Sequence, residues 1–382
     1  MLKKRRLALV YAALLGGVAV TVYAQAPTPQ IPVYNFRSPE DTRKFGMKPD
    51  DIKAGVKPDY SRLREQLIVV PVRGAVHLIA GAGGNIAMQV ADEGVLLVDT
   101  GGAAAAERVV AAYKDKTEMP LRWIINTSVD ADHTGANAAV AATGQPGNGG
   151  GPGGPGGGPP GGGGGGGGGG GNPAAAAQAA SIVAHETVLN RMNDTAGTPQ
   201  AIPVAAWPTS TFFTPKKTMY FNGEPIEILS QPAAHTDGDV MVYFRSSDVI
   251  ATGDAYSSDR FPQFDSTRGG GINGAIDSLN RIIDIAVAAY NMQGGTLIVP
   301  GHGRIANEAD VVEYRDGMTI IRDRVKEMVG KKMTLTQVKA ARPALDYERI
   351  YTIPGWTGDQ FVEAVYTDLS RAAAPPARGT AR

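Results

Sequence analysis

The residues in this sequence with side chains suited to chemistry follow four short apolar runs. Most of these side chains are imidazoles and carboxylates, which bind divalent metal ions, and a serine hydroxyl stands among them. Ligands at the ends of separate strands can converge while the loops leave a position open for water, so we expect one shared metal site. The residues are Ser128, Asp130, Asp132, His133, His235, Asp254 and His302.

The apolar runs before these residues have the composition of buried strands. They are rich in β-branched side chains and bounded by Gly, Pro or Asp. These runs are Trp123–Ile125, Ile226–Leu229, Val249–Ala251 and Thr296–Val299. Periodicity also predicts hairpin strands in Val69–Ala80 and Asn85–Val98, and helices at Ala103–Lys114, Gly274–Met292 and Glu308–Gly330. This order of elements is compatible with two sheets enclosed by helices.

The polar groups resemble, in order and spacing, the motifs of the metallo-β-lactamase superfamily. That family has His-x-His-x-Asp-His, then a His followed by Thr-x-Gly-Asp/Ser, then Gly-Asp and Gly-His. The corresponding pieces here are Ser128-x-Asp130-x-Asp132-His133, His235-Thr236-Asp237-Gly238-Asp239, Gly253-Asp254 and Pro300-Gly301-His302-Gly303. The resemblance extends over about residues 65 to 330. It implies an α/β fold, the αββα four-layer sandwich of the metallo-β-lactamase type.

The resemblance also implies which residues hold metal. In the family, a second ion is held at the positions of Asp132, His133 and His302. The first ion is held by the two leading histidines of the motif and at the position of His235, and the position of Asp254 commonly bridges both ions. The metal ligands predicted from the resemblance are therefore Asp132, His133, His235, Asp254 and His302.

Two positions depart from the family motif, because Ser128 and Asp130 replace its leading histidines. A serine hydroxyl is a poor neutral ligand, whereas a carboxylate can bind Zn²⁺ and better suits Mg²⁺, Mn²⁺ or Fe²⁺. We expect the first metal position to be empty, to bind its ion weakly, or to prefer a different metal. The expected metal content is one ion per chain. Zn is the predicted metal, with Fe and Mn as alternatives. Asp130 and Asp132 are the predicted catalytic residues, with Asp130 acting as a base or orienting water.

Hydrolysis is the chemistry expected of such a site, since a bound metal ion lowers the pKa of water and polarises a carbonyl. The expected bond is an ester, amide, lactam or thioester in a small-molecule substrate. The alternative is a binding or scaffold protein that retains the fold without catalysis, because Ser128 and Asp130 replace metal ligands. Tyr256 and Arg304 are candidates for substrate contact, and the resemblance implies that Asp99 supports the metal loops from behind.

The N-terminal residues have the pattern of a secretory signal peptide. The basic group Lys3–Arg6 precedes an apolar stretch, Leu7–Val22, which is followed by small residues. We expect residues 1–24 to be removed and the protein to be exported, periplasmic or secreted, without stable membrane contact. An uncleaved membrane anchor is the alternative, since the apolar stretch approaches the roughly 18 residues that could span a bilayer.

The rest of the chain is predicted to form one domain with appendages. Residues 25–62 are an N-terminal extension, 63–332 the metallo-β-lactamase-like domain, and 333–382 a helical extension and tail. Candidate helices in that extension are Thr334–Ala341 and Thr357–Ser370, for packing or for a homodimer interface. Residues 144–173, almost entirely Gly and Pro, are expected to be a disordered insertion within the domain.

Charge and cysteine content bound the partners of this 382-residue chain. The 37 Lys and Arg residues balance 37 Asp and Glu residues, so the net charge is +0 and the basic footprint of a nucleic-acid binder is absent from the whole-chain balance. There is no cysteine, so no disulfide supports the exported protein. We therefore expect a small-molecule substrate and no nucleic-acid partner.

Overall fold

The computed structural model of the protein describes residues 67–147, 179–195, 197–198, 201–290 and 294–373. The predicted signal peptide, the N-terminal extension and most of the Gly-rich insertion lie outside the described residues. Within the described ranges, none of the helices combines the length and apolar character needed to cross a membrane. The domain boundaries given above stay predictions.

The first sheet has seven strands among the described residues, arranged in chain order. They are β1 (Ile68–Arg73), β2 (Val76–Ala82), β3 (Gly84–Ala91), β4 (Gly94–Val98), β5 (Leu121–Ile125), β6 (Ser181–His185) and β7 (Ser210–Phe212). β1 to β4 pair antiparallel and β4 to β7 pair parallel. Parallel strands need crossover connections, and the helices between them are α1 (Ala106–Lys116), α2 (Ala131–Thr134), α3 (Asn137–Ala141) and α4 (Glu186–Asp194).

The second sheet has five strands in the described part of the chain, in the order β12-β11-β10-β9-β8. They are β8 (Lys216–Phe221), β9 (Glu224–Ser230), β10 (Val240–Phe244), β11 (Val249–Ala251) and β12 (Leu297–Val299). β8 to β11 form an antiparallel meander, and β12 lies parallel to β11. Helix α5 (Ile272–Ile285) lies within the connection between these two parallel strands.

Buried side chains show how the sheets and helices are layered. One apolar cluster joins the two sheets, with Val98 on β4 and Val242 on β10 among its members. A second cluster covers the other face of the first sheet and includes Val109 of α1. A third cluster covers the second sheet and includes Leu279 of α5. The layers are therefore helix, sheet, sheet and helix, which confirms the predicted αββα sandwich.

The chain after β12 is helical. It forms α6 (Glu308–Gly330), α7 (Leu335–Ala340), α8 (Leu345–Tyr351) and α9 (Gly358–Ala373). Helix α6 begins at a capping box, in which Asn307 and Asp310 satisfy each other's backbone N–H groups. Phe361 and Val365 of α9 lie in the same apolar cluster as the buried side chains of α5 and α6. The C-terminal helices thus complete the outer layer over the second sheet.

The helix predicted at Gly274–Met292 is shorter than expected and ends at Ile285. The next residue, Ala286, has an extended backbone. Val287 then pairs with Thr296, whose backbone N–H donates to the Val287 carbonyl over 2.8 Å and whose hydroxyl accepts from the Val287 N–H over 2.7 Å. These bonds take the place of helical hydrogen bonds at Val287. The apolar periodicity in the sequence extends past this point, which is why the predicted helix was too long.

Candidate metal centre

The predicted site residues lie just beyond strand ends and meet at one place between the two sheets. Asp130 precedes α2, which carries Asp132 and His133 in the connection after β5. His235 follows β9, Asp254 lies in a short 3₁₀ turn after β11, and His302 follows β12. The carboxyl ends of the parallel pair β11 and β12 face the same edge of their sheet, which brings the last two residues together.

We call Asp132, His133 and His302, with Asp254, the Asp132 group. Three distances between its nitrogen and oxygen atoms are nearly equal: Nε2 of His302 lies 3.2 Å from Oδ2 of Asp132 and 3.3 Å from Oδ1 of Asp254, and Nε2 of His133 lies 3.2 Å from the same Oδ1. Tetrahedral ligands about 2.0–2.1 Å from an ion are roughly 3.3 Å from one another. The spacing therefore fits a divalent ion.

A second observation also favours a cation in the Asp132 group. Nε2 of His133 is buried and has no hydrogen-bond partner among the described residues, although its ring lies against two other polar side chains. Buried polar atoms are nearly always paired, so an unpaired ring nitrogen needs a ligand. A Cβ atom at Gly84 would lie 2.8 Å from Cε1 of His133, which shows how closely the backbone encloses this ring.

Asp99 fixes the orientation of His133 from behind. Its Oδ2 lies 2.7 Å from Nδ1 of His133 and accepts from the Thr127 hydroxyl over 2.6 Å, while its Oδ1 accepts from the Thr127 backbone N–H over 2.8 Å. Because a carboxylate only accepts, Nδ1 carries the proton and Nε2 points at Asp254. Asp99 itself has a left-handed backbone with φ of 67°, as residues held in place for function often do.

The charges around His133 attract positive charge into the Asp132 group. Burial alone would lower the pKa of the His133 imidazole, but the carboxylates of Asp254 and Asp99 outweigh it and raise that pKa well above its usual value. Asp254 is the reverse case, since burial raises the pKa of its carboxyl group while His133, His302 and His235 lower it well below the usual range. Such a pocket stabilises a bound cation.

We call Asp130, His235 and Asp254 the Asp130 group. Here the side chains hydrogen-bond to one another directly. Nε2 of His235 contacts Oδ2 of Asp130, and Nη1 of Arg268 donates to Oδ1 of Asp130 over 2.7 Å. Nδ1 of His235 donates to the backbone carbonyl of Gln263 over 2.7 Å. Asp254 is farther away, with its Oδ2 at 3.9 Å from Nε2 of His235.

The electrostatics of the Asp130 group follow from these contacts. Burial would raise the pKa of the Asp130 carboxyl group, but His235 and Arg268 together lower it below its usual value. Burial would lower the pKa of His235, yet its bond to Asp130 and the charges of Asp254 and Asp239 raise it to about 10. Charge in this group is therefore balanced between protein side chains.

Arg268 is the site residue that sequence reasoning missed. It lies in the loop between β11 and α5, 138 residues from Asp130 in the chain. Its Nε donates to Oδ2 of Asp265 over 2.7 Å, and the backbone N–H of Asp265 donates to the carbonyl of His235 over 2.8 Å. The spacing of Asp265, Thr267 and Gly269 indicates a turn, but nothing local in the sequence indicates a contact with Asp130.

Ser128 is buried beside the site, and its side chain bonds to the backbone two residues away. Its hydroxyl oxygen accepts from the backbone N–H of Asp130 over 3.2 Å, which shapes the turn before α2. Two sequence candidates for substrate contact are engaged elsewhere. Tyr256 is 2% exposed and packs edge-on against Tyr314, and Arg304 donates to Asp310 over 2.6 Å.

The sequence profile of the metallo-β-lactamase superfamily matches residues 80–302, which is more than half of the chain. The chain belongs to this superfamily. The matched range begins in β2 and ends at His302, so it includes all the residues of the Asp132 and Asp130 groups. Metallo-β-lactamase superfamily members usually bind metal ions, and both groups are candidate positions for one.

Two solved structures show what the chain is similar to. A metallo-β-lactamase from Pontibacter korlensis is 16% identical with a TM-score of 0.47, over 66% of this chain and 99% of that chain. The stereoselective inverting sec-alkylsulfatase Pisa1 from Pseudomonas sp. is 13% identical with a TM-score of 0.52, over 80% of this chain and 51% of that chain. At 13% identity, the likeness to Pisa1 shows the fold alone. A comparison with curated proteins found no match.

Proposed function

We propose that the protein is a metal-dependent hydrolase that cleaves an ester, amide, lactam or thioester bond in a small molecule. The proposed ligands of its one metal ion are Asp132, His133, Asp254 and His302. The observation that carries this proposal is the buried Nε2 of His133, which lacks a hydrogen-bond partner among the described residues and points at the other members of the group. Zn is the proposed metal, with Fe and Mn as alternatives.

A bound ion would supply the Lewis-acid chemistry, and the protein side chains would position the ion, the water and the substrate. A divalent ion bound at this site polarises the scissile carbonyl and lowers the pKa of a water molecule. Asp99 holds the His133 ring in one orientation, with Nε2 directed at the position where an ion would bind. The side chain of Asp132 is 43% exposed, far more than His133 or His302, so substrate and water reach the group from the side of Asp132.

Asp130 is the proposed catalytic partner of the Asp132 group. Each carboxylate oxygen has two lone pairs, so Asp130 can accept a hydrogen bond from water while His235 and Arg268 retain theirs. Those two partners lower its pKa, which weakens it as a base. Orientation of the attacking water is therefore the role that these contacts support better than storage of its proton.

Metal-dependent turnover tests the proposed function directly. The purified protein is stripped with a chelator, reloaded with Zn²⁺, Mn²⁺ or Fe²⁺, and assayed on chromogenic esters, lactams, thioesters and an alkyl sulfate. The sulfate ester is included because an alkylsulfatase shares the fold. We expect reloading to restore hydrolysis of at least one substrate and Asp132→Ala to abolish it. Asp115→Ala is the matched control, since that carboxylate is 79% exposed and its ion pair within the described part of the chain is with the adjacent Lys116.

The second candidate function is a binding or scaffold protein that retains the fold without catalysis. The observation that favours it is the Asp130 group, in which both oxygens of Asp130 already have protein partners. Metal binding without turnover of any substrate in the panel would favour this candidate over the hydrolase.

Export remains part of the proposal as well, and N-terminal sequencing of the protein from its native host tests whether residues 1–24 are removed.

A further inference from the structure

Arg268 places a permanent positive charge beside Asp130, one of the two residues that stand in place of the leading histidines of the superfamily motif. Its guanidinium lies 2.7 Å from Oδ1 of Asp130, and the other oxygen of Asp130 contacts His235. A guanidinium stays protonated at any pH at which the protein is folded, so this charge is fixed. It occupies the side of the site where two motif histidines are replaced by Ser128 and Asp130.

The loop around Arg268 holds the guanidinium in place from the opposite side. Its Nε donates to Oδ2 of Asp265 over 2.7 Å, and Oδ1 of Asp265 accepts from the Thr267 hydroxyl over 2.6 Å and from the Thr267 N–H over 2.8 Å. The Asp265 N–H is bonded in turn to the His235 carbonyl. Arg268 is therefore positioned between two carboxylates before any ligand arrives.

The atoms of His235 and Asp130 that could bind a metal ion already form hydrogen bonds within the protein. Both ring nitrogens of His235 face oxygen acceptors, one on Asp130 and one on Gln263. Both oxygens of Asp130 accept from cationic donors. A divalent ion would have to displace His235 from Asp130 and would lie close to a guanidinium of like charge, which opposes its binding. The donor set thus fits an ion poorly here, in contrast to the Asp132 group.

We propose that the guanidinium of Arg268 substitutes for the first metal ion, occupying Asp130 and excluding a second divalent ion from the Asp130 group. This inference rests on the proposed function, because it takes one bound ion at the Asp132 group as given. Arg268 acts as a positioning residue: its bonds to Asp130 and Asp265 hold Asp130 in one orientation beside the metal-binding half of the site. Loss of its charge frees Asp130, His235 and Asp254 to bind a second ion.

The test counts bound zinc in the full-length protein without reference to activity. Stripped wild type, Arg268→Met, Arg268→Gln and Arg268→Lys are titrated with Zn²⁺, and bound ions are counted by native mass spectrometry. We expect one equivalent in the wild type and in Arg268→Lys, which retains the charge, and two equivalents in Arg268→Met and Arg268→Gln. The matched control is Arg191→Met, because Arg191 is similarly exposed and pairs with Asp237 over 2.7 Å, so it should bind one equivalent.

Two results overturn the inference while leaving the proposed function intact. Two equivalents in the wild type would mean that Arg268 does not exclude the second ion. One equivalent in the folded Met and Gln variants would mean that the guanidinium is not what excludes it. Zero equivalents in the wild type would overturn the proposed function, and the inference with it. Circular dichroism confirms folding, and the Gln variant serves if the Met variant fails to fold.

Discussion

The Asp132 group and the Asp130 group share Asp254 but reach electrostatic balance in different ways. In the Asp132 group, ring nitrogens and carboxylate oxygens stand 3.2–3.3 Å apart, and Nε2 of His133 lacks a hydrogen-bond partner in the described part of the chain. In the Asp130 group, His235 and Arg268 bond directly to Asp130. The Asp132 group is therefore suited to an added cation, whereas in the Asp130 group the side chains of His235 and Arg268 already supply the positive charge.

This difference shows what the replacement of two motif histidines entails. A carboxylate at Asp130 without a metal ion would leave a buried negative charge unpaired, which is costly. Arg268 supplies the compensating charge from a different loop. Ser128 has no charge to balance and serves the backbone of the same turn. The carboxylate that replaces a motif histidine at Asp130 is therefore matched by the guanidinium of Arg268.

The largest effect is expected from His133→Ala, which removes a ligand from the Asp132 group. Metal affinity should fall by more than the roughly 10–100-fold that loss of an outer supporting residue causes. Asp99 also loses its buried partner, and the free energy of unfolding should fall by about 3–5 kcal/mol. Zinc titration and chemical denaturation measure the two effects. His77→Ala is the control, since its ring bonds only locally, to the Ala75 carbonyl over 3.3 Å.

The next effect is expected from Asp99→Asn, which retains shape but removes the carboxylate behind His133. Asn tolerates the left-handed backbone of this position, so the variant reports on the carboxylate and not on strain. We expect a loss of about 10–100-fold in zinc affinity by calorimetry. Asp248→Asn is a matched control with φ of 52° and an ion pair to Arg73. Equal losses in both variants would contradict the role of Asp99.

A smaller effect is expected from Asn85→Ala, which loosens the loop that carries His302. The Asn85 amide donates to the carbonyls of Pro300 over 2.9 Å and Gly303 over 3.0 Å, on either side of that residue. We expect roughly a 10-fold loss of zinc affinity and a loss of about 1–3 kcal/mol in unfolding free energy. Asn190→Ala, at an exposed position of α4, is the control, and it should leave zinc affinity unchanged and unfolding free energy within about 0.5 kcal/mol.

The smallest effect on metal binding is expected from His235→Ala, although the superfamily pattern makes this position a ligand. Asp130 keeps its bond to Arg268 in this variant, and the Asp132 group is untouched. Zinc content should remain at one equivalent, with affinity changed by less than about 10-fold. Elemental analysis of dialysed protein makes this measurement. Complete loss of zinc would mean that the two halves of the site do not differ as described.

Part of this site could be predicted from the sequence because strand ends are local features. Apolar runs bounded by turn residues indicated where β5, β11 and β12 end, and polar residues directly after them had to meet near the sheet edges. The superfamily motifs then indicated which of them belong together. His302 and Asp254 are neighbours because β11 and β12 pair parallel, which the structure shows and the sequence analysis did not predict.

The remaining features depend on contacts between residues far apart in the chain. Arg268 reaches Asp130 only because the loop before α5 folds over His235, and no periodicity indicates this. The short helix α8 was missed because its seven residues carry too little pattern. Helix α5 ends early because the backbone of Val287 forms hydrogen bonds with Thr296 instead of with the helix. This contact is also a tertiary interaction.

Anomalous diffraction at the zinc absorption edge, on crystals of the zinc-loaded wild-type protein, tests the central claim most directly. The account predicts one anomalous peak per chain, enclosed by Asp132, His133, Asp254 and His302, with Arg268 still bonded to Asp130. A peak bound by Asp130 and His235, alone or as a second peak, would contradict it.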